Sequence, residues 1–320
     1  MIEGQLAIWL NISTILVLSF IIANFSVSVF ISILAQQFLT IQVESRKIIL
    51  WLLVILPWLA SISVALLFLN GYMTSTIFDS EAEYAHWHHM SEFNWLSWHG
   101  ATLMIALSCM FYLVANKLIK LNIHRKKLLS LTSLSQPIDN NIFEIQVSNP
   151  GAFTAGFIRK KCFITSGMLK EMTREEVNVI LGHEKAHAQM NDPLKKWLFS
   201  VFCEFFIPTL AKHLKLHMML AMEQAADNAV VTNEVPSTFV AGTLVKVARL
   251  NANYTPLKEN ELVVNFGADI LEQRVYFLLG QLTLKPANKW LTALFITLIF
   301  IGILSSIDGV HHIIETVFSH

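Results

Sequence analysis

The run VNVILGHEKAHAQMND, Val177–Asp192, decides how this chain is read. His183 and His187 stand four apart, so a helix puts both rings on one face, close enough to hold one ion. Glu184 follows the first histidine, rotated about 100° around the helix axis. It cannot easily share the metal, but it can reach a water held there. Zinc lowers the pKa of such a water to about 7, and a carboxylate can then take its proton. Against this stands a plain alternative: a helix with chance polar residues, since the three fixed positions of His-Glu-x-x-His recur by accident.

The residues just upstream support the helix. Thr173 followed three residues later by Glu176 is a capping box, and Val177, Val179, Ile180 and Leu181 have helical apolar spacing. Together they predict a helix starting near Arg174. A catalytic zinc needs a third protein ligand and an open position. The run MEQAADNAVV, residues 222–231, supplies Glu223 and Asp227, again four apart. Glu223 is read as the third ligand. Asp227 is read as a support that accepts the other ring N–H of a ligand histidine. Asp192 is a second candidate for that supporting role.

Around this island the chain is greasy. Of 320 residues 54% are hydrophobic and 14% charged, which fits a membrane protein better than a water-soluble one. The formal net charge is zero, so no direct nucleic-acid binding is expected. Cys109, Cys162 and Cys203 are scattered and form no CxxC pair, which argues against a disulfide framework or a thiolate zinc site. The start, Met1-Ile2-Glu3, lacks the basic region of a secretory signal, so the first apolar segment is expected to stay as a membrane span.

Four apolar segments are long enough to cross a bilayer: about Ile8–Leu34, Ile48–Leu69, Ala101–Leu118 and, at the lower length limit, Trp290–Ile307. Arg46 and Lys47 lie between the first two. Lys117, Lys120, Arg125, Lys126 and Lys127 follow the third, and Lys285 and Lys289 precede the fourth. Residues 71–98 carry four acidic residues and no lysine or arginine. With the N-terminus outside, every basic flank falls on one side, and the positive-inside rule makes that side cytoplasmic. Three regions result. Residues 1–120 are a membrane region with three spans and an outer loop at 71–98. Residues 121–287 are a cytoplasmic domain, and residues 288–320 a fourth span with a short outer tail. Within the cytoplasmic part, FEIQVSNPGAFTAGFIRKKCFITSGML has short β-prone runs broken by Asn149-Pro150-Gly151 and Arg159-Lys160-Lys161. The expected fold is an α+β domain embedded among about four transmembrane helices.

Three stretches, Ala152–Pro193, EQAAD at 223–227 and ILEQRVYFLL at 270–279, resemble the M56 peptidase family of membrane signal transducers that respond to β-lactams. The downstream ExxAD narrows His-Glu-x-x-His to the gluzincin branch, which also contains the M48 membrane proteases. The span layout and the strands before the helix favour M56. The resemblance implies Zn2+ held by His183, His187 and Glu223, with Glu184 as the general base. It also implies signalling by cleavage of a cytoplasmic regulatory protein, a winged-helix transcriptional repressor being the expected substrate class. The expected place is a bacterial inner membrane, crossed several times, with the lipid bilayer as a partner. The best-known relatives carry a large outer penicillin-binding sensor after the last span; with some 13 residues following Ile307 and no Ser-x-x-Lys motif, direct covalent β-lactam sensing is not expected. Two rivals remain: an M48-like quality-control protease of membrane proteins, and a receptor or scaffold in which zinc is only structural.

Other polar groups have bland readings. His86, His88, His89 and His99, among Trp87, Trp95 and Trp98, read as interfacial residues near the bilayer surface. His213 and His217 share helical spacing but have no acid between them, and read as surface or interface residues. Trp197–Leu210 is apolar but too short to span, so it is either a core helix or a dip into the membrane.

Overall fold

The computed structural model describes residues 1–78, 90–231, 235–254, 261–286, 288, 290 and 292–303. It is mostly helical, with one four-stranded sheet. Among the described residues, helices α1 (Gln5–Leu34), α2 (Val43–Phe78) and α3 (Trp98–Ser133) are long and apolar enough to cross a membrane. A fourth apolar helix, described over Thr292–Ile303, is shorter, and residues 304–307 of the expected fourth span lie outside the described residues.

Pairings at the two ends of the spans sort the connecting segments. At one end, β1 (Ile2–Glu3) pairs antiparallel with β2 (Glu92–Phe93). The side chain of Asn11 donates to the carbonyls of Met90 and Glu92, both at 3.0 Å, so this buried amide ties the first span to that segment. At the other end, the Gln42 N–H donates to the Lys285 carbonyl at 2.9 Å and the Lys285 N–H to the Thr40 carbonyl at 2.8 Å. The connection between α1 and α2 therefore lies beside the segment around Lys285.

At 36 residues and 1.5 Å per residue, α3 is about 54 Å long, more than a bilayer needs. Its last turns leave the apolar part and reach the sheet, so residue 120 falls inside a continuous helix. The sheet has the order β3 (Gln136–Asp139), β4 (Ile142–Ile145), β6 (Lys161–Thr165), β5 (Ala152–Ala155). Strands β4 and β6 run parallel and the other pairs antiparallel, which leaves β5 at an edge. Alternation along β6 sends Phe163 to one face, where Leu128 and Leu131 of α3 cover it. Ile164 goes to the other face, against Met168 of α4 (Ser166–Glu171) and Ile180 of α5 (Arg174–Gln189).

The capping box at the start of α5 is formed. Thr173 accepts from the Glu176 N–H at 3.3 Å, and Glu176 accepts from the Thr173 N–H at 2.8 Å. After α5 the chain reverses through Asn191, at φ +60°, a left-handed conformation that asparagine tolerates better than most residues. Helices α6 (Asp192–Cys203) and α7 (Pro208–Val231) then form a hairpin. Phe199 meets Trp51 edge-on at 5.2 Å, and Phe205 meets both Trp58 at 5.0 Å and Phe20 at 5.8 Å. One apolar cluster therefore runs from the spans into α6 and α7, through Ile15, Leu50, Val54, Phe199, Leu214 and Met218. Trp58 lies 15 residues into α2, about 22 Å along it, so the tip of the hairpin reaches the depth of the spans. Trp197–Leu210 thus packs against the spans within one shared apolar cluster. Helices α8 (Ser237–Tyr254) and α9 (Glu261–Leu278) close the domain around Val179, Val230 and Val240.

Asn94 and Asn140 are exposed, one near β2 and the other in the sheet region. Single cysteines at these positions, in a cysteine-free background, are expected to react with an impermeant maleimide from opposite faces of the membrane.

Candidate metal centre

Two helices supply the centre. On α5, His183 and His187 project one turn apart, and α7 crosses them with Glu223. His183 Nε2 and His187 Nε2 are 3.1 Å apart. Glu223 Oε2 lies 3.3 Å from His183 Nε2, and Glu223 Oε1 lies 3.5 Å from His187 Nε2. A tetrahedral zinc with bonds of about 2.0–2.1 Å needs ligand atoms about 3.3 Å apart. The three residues meet at spacings of that size, Glu223 through Oε2 toward His183 and through Oε1 toward His187, and the donor set of two imidazoles and one carboxylate suits zinc.

Each histidine has a carboxylate behind it. His187 Nδ1 hydrogen-bonds Asp192 Oδ2 at 2.7 Å, an aspartate placed at the head of α6 by the Asn191 turn. His183 Nδ1 lies 2.9 Å from Asp227 Oδ1, close but poorly aligned, so it counts as an ionic contact and not as a formed hydrogen bond. Sequence reasoning offered the two aspartates for one supporting role; in the structure each stands behind a different histidine. Asp227 is fully buried, and Arg274 of α9 holds it through Nε and Nη2, both at 2.8 Å. Arg274 Nη1 also reaches Glu223 Oε2 at 3.0 Å.

These contacts set the charge states of the metal-free centre. Burial opposes the charged form of both histidines, but their carboxylates more than offset it. Asp227 and Glu223 push His183 up, while Asp192 and Glu223 push His187 up to about 10. Burial likewise opposes ionised Glu223, yet the two histidines and Arg274 hold it well below the usual carboxylate range. Arg274 and His183 hold Asp227 down in the same way.

Glu184 is buried and lines a cleft of about 420 Å³ together with the two histidines, Glu223 and Arg274. Residues Gly151–Thr154 form another wall, bringing the edge strand β5 alongside. Thr154 Oγ1 donates to the Glu184 carbonyl at 2.7 Å, which fastens this strand to α5 at the site. On the far side of α7, Arg46 of α2 donates to the Gln224 side chain, and Gln224 donates to the Gln273 carbonyl at 3.3 Å. The residue after Glu223 therefore bridges the second span and the helix of Arg274.

Sequence reasoning passed over Arg274, Thr154 and Gln224. Arg274 had a faint signal: it is the lone cation in the otherwise apolar or acidic run ILEQRVYFLL. The outer-loop residues His86, Trp87, His88 and His89 lie outside the described residues, while His99 stacks on Trp98 at 3.8 Å, remote in sequence from the centre. His217 is half-buried, with its ring edge-on to Phe38 at 5.5 Å, and His213 is exposed.

The model of peptidase family M48 matches residues 120–261, from the end of α3 through α8. No curated protein matches the chain. The chain thus carries an M48 peptidase domain, a metallopeptidase domain, among candidate membrane helices. This corrects the expected M56 membership. His-Glu-x-x-His and ExxAD serve both families, and the features that seemed to favour M56 were spans and short strands. Those follow from hydrophobic patterning in any membrane peptidase, so they could not tell the two apart.

Removing an orienting partner of a metal ligand costs about 10–100-fold in metal affinity or activity. Asp227→Asn and Arg274→Met are each expected to lose that much zinc affinity, read by competition with a chromophoric chelator. The raised histidines add a pH dependence. Their protons must leave before a metal enters, so zinc uptake weakens as pH falls and releases protons, measurable as a buffer-dependent heat. The stability of the metal-free protein runs the other way. The stabilisation from protonated His187 is complete below the unfolded pKa near 6.5, and it fades as pH rises toward about 10.

Proposed function

We propose that this chain is a membrane-embedded zinc endopeptidase of the gluzincin type, with His183, His187 and Glu223 as metal ligands and Glu184 as the general base. The observation that carries the reading is the convergence of His183, His187 and Glu223 from two different helices, the ring nitrogens 3.1 Å apart and the two carboxylate oxygens 3.3 and 3.5 Å from one ring nitrogen each. Zinc, when bound, supplies a Lewis acid for the scissile carbonyl and lowers the pKa of a water beside it.

The chain's own residues do the rest. Asp192 and Asp227 hold the ring nitrogens that face away from the metal, which fixes how the imidazoles point. Arg274 neutralises the second of these aspartates and one oxygen of Glu223, so two carboxylates can stand side by side without mutual repulsion raising either pKa. Glu184 takes the proton of the attacking water on its carboxylate and later delivers it to the leaving amine. The edge strand β5 offers an extended backbone along which a substrate segment can lie.

The reading extends to place and substrate. All basic flanks lie on the peptidase side of the spans, which supports a bacterial inner membrane with the peptidase facing the cytoplasm. The M48 match supports quality control of membrane proteins, so many substrates are expected. The reason for expecting a winged-helix repressor was the M56 resemblance, and it goes with that resemblance.

Glu184→Gln is expected to keep zinc at wild-type stoichiometry and lose about 10²–10⁴-fold in cleavage rate. Comparison of new protein N-termini in cells carrying wild type and Glu184→Gln then gives the substrates. Many cleavages of membrane proteins lost in the variant support quality control. Wild-type cleavage by the variant, or a variant without zinc, would overturn the assignment of Glu184.

A further inference from the structure

A second cavity, about 940 Å³, lies between α3, α6, α7 and β5. That is the size of a site for a substantial organic ligand. It adjoins the cleft of the candidate metal centre and shares a wall with it, since Phe153, Thr154, Pro193, Lys196 and Met219 line both. Its interior is apolar, with Leu128 and Leu131 from α3, Trp197 and Phe206 from the hairpin and Met218 from α7. Lysines also line it: Lys127 on α3, Lys196 on α6, and Lys212 and Lys215 on α7. Among the described lining residues the one carboxylate is Glu204, and it is already committed. Lys117 Nζ lies 2.8 Å from it and Lys215 Nζ 2.9 Å.

The depth of this cavity is set by its walls. At its inner end Phe199 and Phe206 belong to the apolar cluster of the spans, and Phe199 packs on Trp51. At its outer end Lys127 stands ten residues beyond Lys117 on α3, about 15 Å farther along the axis. The cavity thus runs from the apolar cluster shared with the spans to a mouth lined by lysines.

We infer that this cavity binds an anionic phospholipid, with acyl chain on the aromatic and methionine walls and phosphate at Lys127, Lys196 and Lys212. A polypeptide is the poorer occupant on charge grounds. Segments leaving a membrane on its cytoplasmic side are themselves rich in lysine and arginine, and a basic mouth repels them. That comparison rests on the orientation given under Proposed function. An anionic headgroup is attracted by each such lysine. A lipid seated there backs the wall formed by Phe153 and Thr154.

The test is native mass spectrometry of the full-length protein from micelles holding equal amounts of phosphatidylglycerol and phosphatidylcholine. The expected result is retention of phosphatidylglycerol over phosphatidylcholine by about tenfold or more, for three lysines acting on one charged lipid. The preference should be lost in Lys127→Gln/Lys196→Gln/Lys212→Gln with zinc stoichiometry unchanged. A photo-crosslinking residue at Trp197 should capture lipid. Equal retention of the two lipids, or an unchanged preference in the triple variant, would overturn the inference. So would displacement of the lipid by inorganic phosphate alone, or capture of polypeptide and not lipid at Trp197. None of these readouts requires cleavage, so an inactive protein would sink the peptidase reading and leave this one standing.

Discussion

Arg274 is the group on which the centre depends. Two carboxylates from one helix, Glu223 and the fully buried Asp227, face two histidines of another, and an unpaired buried carboxylate is costly. The guanidinium matches Asp227 with two bonds and still reaches Glu223, which a lysine's point charge could not do. Breaking such a pair by removing one member typically costs about 3–5 kcal/mol, because a buried charge is left behind. The cost makes α9 part of the centre, joined to it through Asp227 and Glu223 of α7.

The same packing reaches into the membrane. Helix α7 carries Glu223 and Asp227 near its end, while its first half sits among span residues through Leu214 and Met218. Next to Glu223, Gln224 takes a hydrogen bond from Arg46 of the second span and gives one to the helix of Arg274. The metal centre is therefore not a soluble domain tethered to an anchor. Its geometry and the packing of the spans share side chains, and a core packed this way passes displacement on without absorbing it.

Much of the centre was readable in the residues because it is local. The spacing of His183 and His187, the capping box at Thr173 and the four-residue step from Glu223 to Asp227 are each properties of one helix, and helix geometry converts spacing directly into a shared face. The three long spans were legible for a similar reason, since hydropathy and length suffice for a helix in lipid. The family was not legible: the spans and short strands used to choose it follow from generic patterning, and the motifs present serve both families. Arg274 escaped because its partner lies 47 residues away, and a lone arginine in an apolar helix says nothing about which carboxylate it meets.

The sequence alone determined the helical phase of His183, His187, Glu223 and Asp227, the long apolar helices and the placement of basic flanks, all set by interactions within a few residues or with the solvent. Only the tertiary structure decided which aspartate stands behind which histidine. It alone decided that Arg274 closes the centre, that β5 is fastened beside Glu184, and that the α6–α7 hairpin enters the depth of the spans. Those outcomes depend on which faces of distant elements pack together, and that is settled by burial and charge pairing over the whole chain.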